Sequence, residues 1–108
     1  MKLKLKLKKK ILEVKARECK GIWKVFGLMF SRQENASALL FKFKKPAKMA
    51  IHSLFCPQFL AIWLRNKQII DYEFVKTTRF LIKPSSEFDC LIEVPLNKSY
   101  ENVTQHFT

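Results

Sequence analysis

The chain has 108 residues, of which 48% are hydrophobic and 13% aromatic, and this length and composition are typical of one globular domain with its own core. The apolar fraction excludes an intrinsically disordered chain. No uninterrupted apolar run reaches the roughly 18 residues of a membrane-spanning helix, and the first residues lack the apolar stretch of an export signal. We therefore predict a cytoplasmic protein without a transmembrane segment.

The three cysteines, Cys19, Cys56 and Cys90, are odd in number and widely spaced, which is unlike a disulfide framework. We predict that they are reduced thiols, as expected in the cytoplasm. They form no closely spaced pair with each other or with His52 and His106, whereas structural zinc sites use paired ligands. The sequence therefore predicts no metal site and no cofactor.

The positive charge is concentrated in one half of the chain. The net charge is +12, and residues 1–50 hold thirteen Lys and two Arg against three Glu. Residues 51–108 hold equal numbers of basic and acidic side chains. Clustered lysines attract phosphates and release counterions, so the asymmetry favours a polyanion-binding surface. A solvated face from a lysine-rich composition, or attraction to a membrane surface, remains an alternative.

The first eight residues read M-K-L-K-L-K-L-K, a strict alternation that predicts a half-buried strand with leucines on one side and lysines on the other. Leu12, Val14 and Ala16 continue the alternation with shifted parity. The stretch Lys8-Lys9-Lys10 must therefore contain a bulge or a turn. Residues 18–30 alternate poorly and favour a short helix that Gly27 ends, and residues 31–37 are a polar loop.

Short strand signals fill the rest of the chain. They cover 39–44, 49–55, 59–64, 68–75, 80–83 and 88–94. Lys45-Pro46 is expected to end the first of these, and Arg65-Asn66-Lys67 is expected to join a hairpin. Asn97 is placed to cap a final helical turn. Together these elements predict an all-β fold, mainly an antiparallel sandwich or barrel, with one or two short helices.

Several segments, in order, resemble the family called domain of unknown function number 192, in its archaeal-type form. The similar segments are Gly27-Leu28-Met29-Phe30, Leu39 to Phe43, Ile51 to Cys56, Ile82-Lys83-Pro84 and Leu91 to Pro95. The resemblance spans residues 14–96 and implies a compact, β-rich, sandwich-like fold without an established activity. The chain departs from the family at Phe59-Leu60-Ala61, where the family has Pro, an aliphatic residue and Asp, and at Leu96-Asn97, where it has Ala-Gly.

We accordingly interpret residues 1–108 as a single domain with three parts. These are a basic strand region at 1–16, the family-like core at 14–96 and a polar segment at 97–108. The candidate polyanion-binding residues are Lys2, Lys4, Lys6, Lys8, Lys9, Lys10, Lys42, Lys44 and Lys45. Phe41 and Phe43, which alternate with lysines, are interpreted as core residues rather than as a stacking surface for bases.

Candidates for chemistry are few. His52 is the pocket candidate, although a strand would place it about 13 Å from Cys56, which is too far for a nucleophile–base pair. The six carboxylates of the second half, Glu93 among them, are interpreted as surface charges. We therefore predict a non-enzymatic binding module that contacts RNA, DNA or a ribonucleoprotein through its lysines. An enzymatic or small-molecule pocket near His52, and a structural subunit joined to a protein partner through an edge strand, stay open.

Overall fold

The computed structural model describes residues 2–7, 9–20, 27–28, 31–48, 50–53, 56–76 and 82–108. The chain forms six strands in these regions. They are β1 (Lys2–Leu7), β2 (Lys10–Cys19), β3 (Ala38–Ala47), β4 (Phe59–Arg65), β5 (Gln68–Val75) and β6 (Phe88–Pro95). All six belong to one sheet in the order β1-β2-β3-β6-β4-β5. The mostly β prediction is confirmed, with one curled sheet in place of two stacked ones.

The first two strands form an antiparallel hairpin. Leucine alternates with lysine in β1, and β1 pairs with β2, in which apolar and charged residues also alternate. The register runs from Lys2 opposite Lys15 to Leu7 opposite Lys10. Only two residues lie between the paired positions 7 and 10, so the chain reverses there. The alternation in the sequence shifts its parity here because the chain turns. A turn was one of the two predicted alternatives, the other being a bulge.

The next connection differs from the prediction. β2 and β3 run parallel, with Ala16 beside Ala38 and Cys19 beside Phe41, whereas every other strand pair is antiparallel. A parallel pair needs a crossover, and residues 20–37 supply it. The predicted helix at 18–30 is wrong at its start, because Glu18 and Cys19 are the last residues of β2. Most of its remaining positions, 21–26 and 29–30, lie outside the described residues.

The second hairpin is confirmed. β4 and β5 pair antiparallel, and Arg65 lies opposite Gln68. Asn66 and Lys67 form the turn with φ angles of 52° and 66°. Two positive φ angles are the conformation of a tight hairpin turn whose twist matches the strands, and asparagine adopts it more readily than most residues.

Three strand predictions need correction. β3 does not stop at Lys45-Pro46 but continues to Ala47, with a shift in its register against β6 after Lys42. Between β3 and β4, the described part of the predicted strand 49–55 forms one isolated bridge, from Ile51 to Ile82. The predicted strand 80–83 contributes only that bridge among its described residues. Cys56 N donates to Ser53 O at 3.1 Å, so Ser53 and Cys56 do not lie together in one extended strand. Positions 49, 54–55 and 77–81 lie outside the described residues.

The sheet curls so that its two edge strands, β1 and β5, approach each other and enclose an inner face. We call this arrangement the half-barrel. Its inner face is built from alternate residues of the strands: Leu5, Leu12, Val14, Ala16, Ala38, Leu40, Leu60, Ile62, Leu64, Ile92 and Val94. The outer face of β3, β4 and β6 is covered by a second apolar cluster that includes Phe41, Phe59, Trp63 and Phe88. Strands β4 and β6 are therefore buried on both sides.

The polar C-terminal segment closes one end of the half-barrel. Asn97 caps a 3-10 turn by accepting a hydrogen bond from Ser99 N, as predicted, and the four-residue helix α1 (Glu101–Thr104) follows. Tyr100, Val103 and Phe107 insert into the inner cluster. The Tyr100 hydroxyl donates to Lys15 O at 3.0 Å and accepts from Ala38 N at 2.8 Å, which ties this segment to β2 and β3.

Candidate nucleic-acid interface

The β1–β2 hairpin presents a basic outer face. Lys2, Lys4 and Lys6 point away from the inner cluster because Leu3, Leu5 and Leu7 point toward it. The register then places Lys15 directly across from Lys2, and Arg17 follows on the same side of β2. We call these five side chains, Lys2, Lys4, Lys6, Lys15 and Arg17, the lysine face.

The lysine face is open to solvent. All five of its side chains are exposed, and Ile11, which lies opposite Lys6 on this face, is 70% exposed. An isoleucine this exposed shows that no described part of the chain packs over the hairpin. Alternate residues of a strand are about 6.6 Å apart, so the lysines of β1 form a row with Lys15 beside one end.

One acidic residue interrupts the positive charge. Glu13 lies opposite Lys4, and its carboxylate is 3.6 Å from Lys2 Nζ. Both side chains are more than half exposed, so solvent screens this ion pair and it contributes little to stability. The face therefore keeps a clear excess of positive charge that a phosphate chain could meet.

The other predicted lysines that the structure describes do not join this face. Lys9 and Lys10 lie at the hairpin turn, where they line a cavity of about 480 Å³ with Leu7 and His106. Lys42 lies on the inner side of β3, 3.8 Å from a carboxylate oxygen of Glu18. Lys44 and Lys45 are exposed near the end of β3, and Lys8 lies outside the described residues. The structure thus divides the eight described members of the predicted set among at least three places.

Sequence reasoning missed Lys15 and Arg17. The signal was present, because both alternate with the buried Val14 and Ala16. What was lacking was the register of the hairpin, which alone shows that Lys15 lies opposite Lys2.

Phe41 and Phe43 are core residues, as the alternation predicted. Phe41 is buried in the outer cluster, and Phe43 packs against that cluster with its ring edge-on to Phe88 at a centroid distance of 5.4 Å. Rings packed in this way are not available to stack on exposed bases.

The segment that holds His52 lies beside the outer cluster. His52 itself is partly buried, and its neighbour Ser53 is fully buried and donates from Oγ to Lys76 O at 2.8 Å. This bond fixes the segment to the residue after β5. The predicted pocket at His52 stays a prediction.

The cysteines are free thiols, and their surroundings hold them in the protonated form. Burial, and then the charge of Glu93, raises the pKa of Cys56 to about 12. Burial, and then the charge of Asp89, raises the pKa of Cys90 to about 11, and burial also raises the pKa of Cys19. Since the thiolate is the nucleophile, these sites are the opposite of an activated catalytic cysteine.

Thiol titration checks this environment. In denaturant without reductant, a thiol reagent is expected to count three cysteines at once. In the folded protein at pH 7.5, the partly exposed Cys90 is expected to react on the order of a hundredfold more slowly than a free thiol, because a pKa raised by two units lowers the thiolate fraction by that factor. A denatured count of one thiol would reveal a disulfide and contradict both the structure and the cytoplasmic prediction.

Glu93 corrects the interpretation of the second-half carboxylates as surface charges. It is only 5% exposed, because it lies on the central strand β6 with Leu39 and Ala61 as its neighbours on β3 and β4. Burial raises the pKa of Glu93 to about 8, and a hydrogen bond from the backbone of Leu28 opposes that rise. A charged residue inside the apolar run Leu91–Val94 was the signal in the sequence.

Gly27 permits this burial. Its φ of +53° is in the left-handed region, and a Cβ at this position would lie 3.0 Å from Glu93 Oε1. The backbone can therefore cover the carboxyl closely only without a side chain at residue 27. Among the described residues, no group of three or more His, Cys, Asp or Glu side chains could hold a metal ion.

Comparisons with known proteins establish the fold and no more. No protein-family model matches the chain, and no curated protein sequence does either. A crystal structure of "a putative transcription regulator" from Sinorhizobium meliloti 1021 is similar, with a TM-score of 0.75 over 97% of this chain and 83% of that chain. The two sequences are 13% identical, so the likeness concerns the fold alone. In the described part of the chain, no helix has the length and apolar character needed to cross a membrane.

Proposed function

We propose that this protein is a non-enzymatic module that binds RNA, DNA or a ribonucleoprotein through the lysine face. The observation that supports the proposal is the exposed row Lys2, Lys4 and Lys6 with Lys15 at its end, uncovered by any described segment. Phosphates along one nucleic-acid strand have a spacing similar to that of these lysines. Several lysines can therefore contact one backbone and position it without reading its bases.

Two further observations agree with this function. The regulator name carried by the Sinorhizobium protein belongs to a class that acts on nucleic acid, although the low identity transfers only the fold. The raised pKa values of the cysteines also disfavour thiol chemistry as an alternative. The resemblance to domain of unknown function number 192 stays a proposal about the family of this chain. Because that family has no established activity, the resemblance does not change the proposed function.

A second candidate is a structural subunit that adds a partner's strand to β1. β1 is an edge strand of the sheet, so one side of its backbone is not paired within the six-stranded ladder. Lysines on an edge strand commonly oppose such pairing, which is why we place this candidate second.

A salt titration tests the proposed function. Binding of the full chain to a labelled single-stranded RNA and to a labelled DNA duplex would be measured between 50 and 300 mM NaCl. If Lys2, Lys4, Lys6 and Lys15 each contact one phosphate, the log–log slope is expected near about −2.8 for the single strand and about −3.6 for the duplex, with little dependence on sequence. Phosphatidylserine vesicles serve as the comparison. Binding to vesicles without binding to either nucleic acid would contradict the proposal and favour the membrane alternative.

A further inference from the structure

The end of the half-barrel opposite the C-terminal segment holds a cavity of about 530 Å³. We call it the mouth cavity. Its walls are mostly apolar and come from four strands, and Leu3, Leu5, Leu40, Leu64 and Ile92 are the main wall residues. These are inner-cluster residues or pack directly against that cluster, so the cavity continues the inner core toward solvent.

The half-barrel has the shape of a cup, with one end closed and one end open. Tyr100, Val103 and Phe107 close one end, whereas the β4–β5 turn, at Asn66 and Lys67, lies beside the other. Small β-barrels with one open mouth are places where single small ligands bind. A volume of this size lies within the range of roughly 300–1,000 Å³ that such sites occupy.

The charged side chains that line the mouth cavity are mostly positive. Lys4, Lys42 and Lys67 line it, and Asp89 is the only carboxylate among its described lining residues. Asp89 Oδ2 accepts a hydrogen bond from Asn66 N at 3.1 Å, so its charge is already directed to the turn backbone. Lys42 pairs with Glu18, whereas Lys4 and Lys67 form no ion pair with any described residue. The cavity therefore has an apolar interior with an excess of ammonium groups around it.

We propose that the mouth cavity binds a small ligand with an apolar body and one anionic head group, such as a long-chain carboxylate. The body replaces solvent against the leucine and isoleucine walls, which is favourable in proportion to the apolar area buried. The head group lies at the opening, near Lys67. The apolar walls of this site are on the inner side of the sheet, and Lys4 is the one lining residue that it shares with the lysine face on the outer side. The ligand proposal does not depend on Lys4, because it places the head group near Lys67.

Three probes with the same twelve-carbon alkyl chain distinguish the contribution of the apolar body from that of the head group. They are dodecanoate, dodecanol and dodecyltrimethylammonium, each used below its micellar concentration. By calorimetry we expect dodecanoate to bind with one-to-one stoichiometry, more tightly than dodecanol, and the cation to bind most weakly. Lys67→Gln is expected to weaken dodecanoate binding two- to fivefold, the range for an exposed ion pair, and to leave dodecanol unchanged. The exposed Lys76→Gln is the matched control, since it removes the same charge away from the cavity.

A basic protein can also bind anionic amphiphiles over its surface, so the test needs a readout at the cavity itself. Cys90 lies in the cavity wall and is partly exposed. Dodecanoate at saturation is expected to slow alkylation of Cys90, followed by peptide mass spectrometry at pH 8.5. The buried Cys19 and Cys56 are internal controls for loosening of the fold.

Occluding the cavity gives the decisive comparison. Leu3→Trp places a larger ring at the opening and is expected to abolish one-to-one dodecanoate binding without loss of the cooperative thermal transition. Unchanged binding by that variant, or Cys90 alkylation that dodecanoate does not slow, would overturn the proposal in favour of surface adsorption. Equal affinity for dodecanoate and dodecanol would overturn the anionic head group. Should Leu3→Trp not fold, Cys90 protection still decides between the two outcomes.

Discussion

Replacing Lys2, Lys4, Lys6 and Lys15 together with glutamine is expected to lower the affinity for RNA or DNA by on the order of a thousandfold at 0.1 M salt. Each lysine–phosphate contact releases counterions, and at that salt it contributes roughly 0.7–0.9 of a decade in the binding constant. The log–log salt slope should therefore approach zero as the affinity falls. Fluorescence anisotropy across the salt series measures both quantities in one experiment.

The matched control removes the same number of charges elsewhere. Lys67, Lys76, Lys83 and Lys98 are all exposed and all lie in the second half of the chain. Changing these four to glutamine lowers the net charge equally, so it reduces the long-range attraction without touching the lysine face. If both quadruple variants lost affinity to the same extent, net charge alone would account for binding and the lysine face would not be the site.

The same quadruple variant also distinguishes two roles for the β1 lysines, nucleic-acid binding and prevention of aggregation. Charged side chains on an edge strand prevent strands of different molecules from pairing, so a gatekeeper role predicts precipitation or fibres when they are removed. A variant that aggregates yet binds nucleic acid as the parent does would assign Lys2, Lys4 and Lys6 to aggregation control. A variant that stays monodisperse and loses affinity would support the binding role.

Glu93→Gln is expected to remove most of the pH dependence of stability between pH 4.5 and 8. Burial raises the pKa of Glu93 to about 8 from an ordinary value of 4.5, so the folded protein holds a proton here that the unfolded chain releases. For a raised carboxyl pKa, the stability is fully present below the unfolded pKa and is lost as the pH rises toward the folded one. The slope is about 1.4 kcal/mol per pH unit, so the loss over this interval reaches at most roughly 5 kcal/mol.

Glutamine has the shape of the protonated acid and can still accept the hydrogen bond from the backbone of Leu28. The variant should therefore match the parent near pH 5 and exceed it by several kcal/mol at pH 8, as measured by urea unfolding with reductant present. The series stops at pH 8.5, because Cys56 and Cys90 contribute their own pH dependence above that value. Glu101→Gln, at an exposed position, is the control. Equal pH dependence in the Glu93 variant and the parent would refute a buried, protonated Glu93.

Local patterns in the sequence were sufficient for the β4–β5 hairpin and for much of the strand content. The alternation of Leu3, Leu5 and Leu7 with lysines determines which side of β1 faces the core, because a strand places successive side chains on opposite faces. The turn at Asn66 and Lys67 and the cap at Asn97 are equally local, since each depends on one residue and its immediate neighbours. These features could therefore be predicted without knowing which strands pair.

The tertiary structure alone decided which of the lysines share a surface and which carboxylate is buried. Lys42 alternates in β3 much as Lys4 does in β1, yet it lies on the inner side, because β3 is covered by apolar clusters on both faces and β1 on only one. The parallel pairing of β2 with β3 and the position of β6 between β3 and β4 join residues far apart in the chain, so no local pattern specifies them. Glu93 is buried because β6 lies between β3 and β4 and because Gly27 and Leu28 lie over the strand. From the sequence alone, a carboxylate in a short apolar run is interpreted as a surface charge.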